Sequence, residues 1–237
     1  MEAAPVLLSI NRIFLMDNIG NFFLSLSIVI PLIVGVIRIK RLGKMYFPIF
    51  LVMIIGFLTE IASFVFIDTF RTSNAMVIKI YSLVECCLVL YQLQLWRNST
   101  KDKRLFIFLY VICVLVWIVE NIVFLNINAY TPYFRVFYAF VIVLLSINQI
   151  NSMIFDHEGP LFKNPMFIFC LCFTVLFLYQ IVYEASFFIG SDKSVVANKI
   201  IIGFGYINFA INLVFAYAIY FIGGKTEEGY NRYFREN

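Results

Sequence analysis

Charged residues are scarce in this 237-residue chain, and histidine is nearly absent. Lys, Arg, Asp and Glu together make up 14% of the residues, whereas a soluble domain carries about 25%. Hydrophobic residues make up 62%, and the charges collect in short patches between long apolar runs. A backbone exposed to lipid must satisfy its hydrogen bonds within each helix. The composition therefore predicts an all-α polytopic membrane protein and excludes a soluble domain.

The scarce residue types also exclude several kinds of site. The single histidine, His157, lies in a loop, so a membrane zinc site built from several histidines is excluded. The five cysteines all fall inside predicted helices, where buried apolar filler is their expected role. A retinal Schiff base would require a lysine midway along the last helix, but Lys199 lies at its start. The basic residues form no continuous face, so we predict no nucleic-acid partner, and we predict no cofactor.

Long apolar runs predict how the chain is organised. A run of about 20 apolar residues is long enough to cross the bilayer as a helix. Seven such runs predict a seven-helix bundle, with helices at residues 22–40, 46–68, 75–96, 105–127, 132–153, 165–188 and 198–222. Residues 1–21 form a predicted outer-face segment, 22–222 the membrane domain and 223–237 a short tail. Thr131–Pro132 and Asn164–Pro165 resemble an N-cap followed by proline, and Gly223–Gly224 is a typical helix stop.

The basic residues predict the orientation in the membrane. The loops after helices 1, 3 and 5, together with the tail, carry twice as many Lys and Arg residues as the opposite side. Because the richer side is normally cytoplasmic, we expect the amino terminus outside and the carboxyl terminus in the cytoplasm. No basic segment with a small-residue cleavage site precedes helix 1, so no removable signal peptide is expected. The expected location is the lipid bilayer of the cytoplasmic (inner) membrane, with any protein partner at the cytoplasmic loops.

Four glutamates, at positions 60, 85, 120 and 184, lie inside hydrophobic segments. A carboxylate near the bilayer centre costs about 2.5–3.5 kcal/mol on insertion scales, so such residues usually face a polar interior. Three of the glutamates begin the same pattern, Glu-x3-Phe-x3-Asp/Asn, in helices 2, 4 and 6. The pattern occurs as Glu60–Phe64–Asp68, Glu120–Phe124–Asn128 and Glu184–Phe188–Asp192. It indicates either a threefold repeat of a helical hairpin (helices 2–3, 4–5 and 6–7) or a coincidence in a phenylalanine-rich chain.

The glutamates fall at one depth in the outer half of the predicted bundle. Each of the three patterned glutamates lies about 12 Å below the outer end of its helix, and Glu85 lies about 15 Å deep, at 1.5 Å per residue. Other polar side chains share this depth, and cations lie above it. The predicted ligand-binding set is Glu60, Glu85, Glu120, Glu184, Tyr81, Tyr138, Tyr206 and Asn208, with Lys79, Arg135 and Lys199 at the rim.

This polar layer has two interpretations. The first is a pocket open to the outside that binds a small molecule or a cation. The second is a buried network of ion pairs that fixes the helix packing. Because the inner half is much less polar, the sequence argues against a simple channel. The predicted function is a small-ligand-binding or sensor-like module, followed by a proton- or cation-coupled transporter and then by a membrane enzyme acting on a lipid-like substrate. No catalytic or metal-binding residue is predicted.

Overall fold

The computed structural model describes residues 24, 26–68, 70, 73–97, 100–124, 131–156, 160–188 and 195–223, and these residues contain helices and no strand. The all-α prediction is therefore confirmed. A 3-10 turn at Leu26–Ile28 leads into the first α-helix, and a π turn at Val119–Val123 extends the fourth. The helices are α1 (Val29–Ile37), α2 (Ile39–Asp68), α3 (Ala75–Arg97), α4 (Thr100–Ile118), α5 (Tyr133–Asp156), α6 (Pro165–Phe188) and α7 (Val195–Phe221).

Six of the described helices, α2 to α7, are long and apolar enough to cross a membrane. The first helix with its preceding turn, Leu26–Ile37, is a shorter apolar helix within the described residues. The chain thus has the membrane-helical fold that its composition predicts. The predicted outer-face segment, 1–21, and the tail beyond residue 223 lie outside the described residues.

The helix ends follow the predicted capping signals closely. At the start of α6, Met166 N–H donates to the side-chain oxygen of Asn164 at 3.0 Å, and Pro165 is the first helical residue. The start of α5 is displaced by one residue, because Val136 N–H donates to the carbonyl of Pro132 at 2.9 Å. Helix α7 ends at Phe221, and Gly223 has a φ of +77°, a left-handed conformation that favours glycine.

The helices form a closed ring. Helix α6 packs most extensively against α5 and α7, while α1 completes the ring by packing against α2 and α7. Helix α3 contacts α2, α4 and α5.

The three predicted hairpins differ in how their helices pack. The hairpins α2–α3 and α6–α7 have broad contacts, whereas α4 and α5 share few, so the three hairpins are not equivalent in packing. Asn128 and Asp192, which complete two of the patterns, lie outside the described residues, and the repeat stays a prediction.

Helix α2 has a break near its inner end that α3 bridges. Gly43 has a non-helical φ of 55°, and Pro48 lies inside the helix. The buried Gln92 of α3 donates to the carbonyl of Met45 at 2.7 Å and accepts the N–H of Ile49 at 3.2 Å. These two backbone groups are one turn apart and would pair in a regular helix. The Gln92 amide therefore inserts into the turn beside the proline, a recognised cause of helix bending.

Buried aromatic rings fill the part of the bundle that the predicted orientation assigns to the inner half. We call them the aromatic column, and their ring centroids lie 5.5 to 6.4 Å apart along the series. From the polar layer inward, the column consists of Tyr138, Phe177, Phe173, Phe215, Phe169, Tyr46 and Trp96. It combines side chains of α2, α3, α5, α6 and α7, so it ties five helices together below the polar layer.

Candidate functional site

A polar cavity of about 250 Å³ lies in the predicted polar layer. Two of the four glutamates, Glu60 and Glu85, line it together with Arg135. The rest of its described lining is Ile28, Gly56, Thr59, Ser63, Asn74, Ile78, Tyr81, Leu176, Gln180, Tyr183, Phe204 and Asn208. These residues come from the turn before α1 and from α2, α3, α5, α6 and α7. Since drug-sized ligands occupy pockets of about 300–1,000 Å³, this cavity suits a smaller molecule.

Glu85 is held in place by a hydrogen-bond network whose members lie on three helices. Its Oε1 accepts the Tyr81 hydroxyl at 2.8 Å, and its Oε2 accepts the Tyr138 hydroxyl at 2.6 Å. Gln180 in turn donates to the Tyr138 oxygen at 2.9 Å, so the Tyr138 hydrogen is directed at Glu85. Both carboxylate oxygens therefore act as acceptors in this network. Tyr81 and Glu85 are four residues apart on α3, a spacing that places both side chains on one helix face.

Arg135 and Glu184 form a buried ion pair between α5 and α6. The Arg135 Nε lies 3.0 Å from the Glu184 Oε1, and their side chains are 16% and 0% exposed. Arg135 lines the cavity, whereas Glu184 lies behind it. Because removing one partner of a buried pair strands the other charge, this contact stabilises the helix packing. Glu184 therefore fits the packing interpretation of the polar layer.

Glu120 and Lys79 lie away from the polar cavity. Glu120 is buried, and one of its carboxylate oxygens accepts the backbone N–H of Phe134 in the first turn of α5. This N–H has no partner within its own helix, so the carboxylate serves as a cap from a neighbouring helix. Lys79 is also buried and interacts electrostatically with Glu120. Glu120 borders a separate, mostly apolar cavity of about 600 Å³ between α4 and α5.

The structure corrects the placement of two predicted site residues on α7. Tyr206 is 61% exposed, and it does not line the cavity. Phe204 and Asn208 do line it, and residues two apart in a helix point about 200° apart around the axis. Lys199 is exposed near the start of α7 and is also outside the lining. Counting along the chain placed Tyr206 in the layer and Lys199 above it at the rim, but such a count does not determine which side of the helix a residue occupies.

Sequence reasoning missed several lining residues. Ser63 follows Glu60 by three residues, and Phe204 precedes Asn208 by four, so both share a helix face with a predicted residue. That spacing is a signal that identifies them. Thr59 is adjacent to Glu60, and Asn74 immediately precedes α3 and carries no comparable signal. The lining is thus richer in hydroxyl and amide groups than the predicted set.

The described lining combines two carboxylates, a guanidinium, several neutral hydrogen-bonding groups and three aromatic rings. Among the described residues, no group of three or more His, Cys, Asp or Glu side chains is placed to hold a metal ion. Such an arrangement can bind and orient a small polar molecule through charge and hydrogen bonds. No protein-family model matches this chain, and neither a curated protein nor a solved structure does.

Proposed function

We propose that this protein is a membrane-embedded small-ligand-binding module of the sensor or receptor-like type. The observation that carries the proposal is the cavity of about 250 Å³ lined by Glu60, Glu85 and Arg135. Ionisable residues inside membrane segments generally face a bundle interior or a water-filled cavity and mark binding sites. The outer side is the expected route of the ligand, because the lining lies in the outer half of the predicted topology.

The aromatic column favours a protein that binds its ligand over one that transports the ligand across the membrane. It begins directly below Glu85, since Tyr138 both donates to that carboxylate and packs against Phe177 at 5.9 Å. Transporters commonly break their helices at the binding site. Here the proline of α2, Pro48, is 12 residues from Glu60, or about 18 Å along a helix. The site is therefore on continuous helices, with packed rings beneath it.

The same column provides a physical link from the cavity to the inner face. Tyr138 is hydrogen-bonded to Glu85 and Gln180 of the cavity lining. Tyr46 and Trp96 lie near the predicted inner ends of α2 and α3 with ring centroids 6.0 Å apart. Coupling between distant sites is carried by chains of packed side chains that have more than one arrangement. A ligand that moves Glu85 would shift Tyr138, and with it the rings that reach the inner ends of these helices. This link favours a sensor, which transmits occupancy, over a passive binding protein.

A proton- or cation-coupled transporter is the second candidate, and the buried carboxylates favour it, because acidic side chains within membrane segments mark proton and ion pathways. Flux assays in proteoliposomes separate the two functions. We expect ligand binding without accumulation of the ligand inside the vesicles. Accumulation driven by a proton or sodium gradient would instead assign transport.

Thermal unfolding in detergent with a library of small polar fragments tests the proposed function. We expect at least one fragment to stabilise the wild type by about 2.7 kcal/mol at a hundredfold excess over its Kd. Glu85→Gln should remove this stabilisation, because glutamine keeps the shape of the side chain but not its charge. The matched control is Glu120→Gln, which changes a buried glutamate outside the polar cavity and should keep the stabilisation.

Two results would contradict the proposal. In the first, a fragment stabilises Glu85→Gln and Glu60→Gln as strongly as the wild type, which places its binding elsewhere. In the second, no fragment binds, and all four Glu→Gln variants lose stability alike. That second result would leave the packing network as the role of the whole polar layer.

A further inference from the structure

We infer that the ligand of the polar cavity is an organic ammonium compound, held by the Glu85 carboxylate against an aromatic wall formed by Tyr183 and Phe204. This inference rests on the proposed function and specifies the chemical class of its ligand. Three observations carry it: the formal charges around the cavity, the stacked rings in its wall and the size of the space.

The charges around the cavity favour a cation. Its described lining contains two carboxylates, Glu60 and Glu85, and one guanidinium. That guanidinium, Arg135, lies 3.0 Å from the carboxylate of Glu184, which is not part of the described lining, so this group of residues holds three formal negative charges and one positive charge. The two hydrogen bonds that Glu85 accepts come from neutral phenols, so they orient the carboxylate without neutralising it. An incoming ammonium group would supply the opposite charge, whereas an anion would be repelled by the two carboxylates.

The wall of the cavity has the chemistry that recognises organic cations. Tyr183 of α6 and Phe204 of α7 both line the cavity, and their rings stack with centroids 4.7 Å apart at 28°. Phe204 also stacks on Tyr179 at 6.1 Å and 20°, which fixes the orientation of its ring. The face of an aromatic ring attracts an ammonium ion, and ligands with cationic nitrogen are commonly bound in this way. A metal ion would instead require a group of ligating side chains, which the described residues do not form.

The space limits the ligand to a compact amine. A Cβ at position 56 would lie 2.9 Å from the Ile28 Cδ1 and 3.2 Å from the Tyr81 hydroxyl, so α2 and α3 approach closely beside Glu85. The volume of about 250 Å³ is enough for one small ring with a short amine arm. The nitrogen of such an amine would face both the Glu85 carboxylate and the wall formed by Tyr183 and Phe204, and its small ring would fill the rest of the cavity.

Isothermal titration of the purified full chain in detergent tests the inference with three probes that share one ring. These are phenethylammonium, 2-phenylethanol and phenylacetate, which are respectively cationic, neutral and anionic. We expect phenethylammonium to bind at least about tenfold more tightly than the other two, a difference of about 1.4 kcal/mol. Glu85→Gln should weaken its binding by at least the same factor, and the control Glu120→Gln should leave the affinity unchanged. Tyr183→Leu should also weaken binding, whereas Tyr206→Leu, at the exposed tyrosine of α7, should not.

The possible outcomes distinguish a failure of the ammonium inference from a failure of the proposed function. If 2-phenylethanol or phenylacetate binds as tightly as phenethylammonium and depends on Glu85, the ammonium inference is wrong and the proposed function stands. The same holds if the three probes fail while other fragments bind in a Glu85-dependent way. If no compound binds at all, both fail. Should Glu85→Gln not fold, wild-type affinity in both Glu60→Gln and Tyr183→Leu would overturn the inference.

Discussion

At the scale of single residues, the Arg135–Glu184 pair has a measurable consequence for stability. Glu184 is fully buried, so Glu184→Gln would remove the carboxylate that lies 3.0 Å from the Arg135 Nε. We expect this change to lower the free energy of unfolding by about 3–5 kcal/mol. Thermal and chemical unfolding of the purified protein in detergent measures the effect.

The control for this prediction is a double-mutant cycle. If the two side chains act as a pair, Arg135→Gln combined with Glu184→Gln should cost clearly less than the sum of the two single changes. Additive costs would show that the two residues stabilise the bundle independently and would refute the assignment of a pair.

The sequence predicted the depth of the site residues but not the helix face they occupy. The positions of Glu60, Glu85 and Asn208 followed from counting residues from the helix ends. Tyr206 was misplaced because α7 is apolar on both its lipid side and its core side, so hydropathy does not distinguish them. The Arg135–Glu184 contact depends on how α5 packs against α6, which no local pattern encodes.

At the scale of the helices, the two hydrogen bonds that Gln92 of α3 makes with the α2 backbone make the stability of α2 depend on α3. Replacing Gln92 with Ala removes the partner of the Met45 carbonyl and of the Ile49 N–H in a buried region. Leaving buried polar groups unsatisfied costs about 1–3 kcal/mol each, so we expect a loss of stability of that order. The measurement is the unfolding midpoint in detergent. Gln94→Ala, in the same helix but at a half-buried position, is the control and should change the midpoint little.

The contact between α6 and α7 yields a second prediction at this scale. A Cβ at Gly203 would lie 2.4 Å from the Tyr179 hydroxyl oxygen, which donates to the Ile200 carbonyl at 3.0 Å. Gly203→Ala should therefore destabilise the protein by about 1–3 kcal/mol through overpacking. Adding Tyr179→Phe removes the obstructing oxygen and should restore part of the lost stability. A double variant less stable than Gly203→Ala would contradict this explanation.

The sequence predicted where the helices lie, but it did not predict the π turn at the end of α4 or the contact of Gln92 with α2. Apolar runs and polar caps such as Asn164 mark where helices begin and end. The prediction for helix 4 ran to residue 127, whereas the structure has a π turn at Val119–Val123. There Glu120 contacts the backbone of Phe134 on α5, so a tertiary contact is part of this geometry. The bridge from Gln92 to α2 likewise joins residues more than 40 positions apart.

At the scale of the whole molecule, the predicted orientation can be tested with two exposed residues at opposite ends of the bundle. Ser73 precedes α3, and Lys163 precedes α6. A cysteine placed at Ser73 should react with a membrane-impermeant thiol reagent in intact cells, because basic residues favour the opposite side as cytoplasmic. A cysteine at Lys163 should react only after the cells are permeabilised. The reversed pattern would overturn the orientation, and the wild type, whose cysteines are buried or half-buried, gives the background.

The aromatic column determines where a sensor of this design obtains its driving force. Packed rings fill the interior below Tyr138, so under the proposed function a molecule bound at Glu85 would return to the side from which it came. Such a sensor would draw on no concentration gradient, and only a difference in affinity between two helix arrangements could change its state. Moving such an equilibrium from 1:99 to 99:1 requires about a 10⁴-fold difference, or about 5.5 kcal/mol. The protein would thus report the concentration of its ligand at equilibrium while consuming none of it.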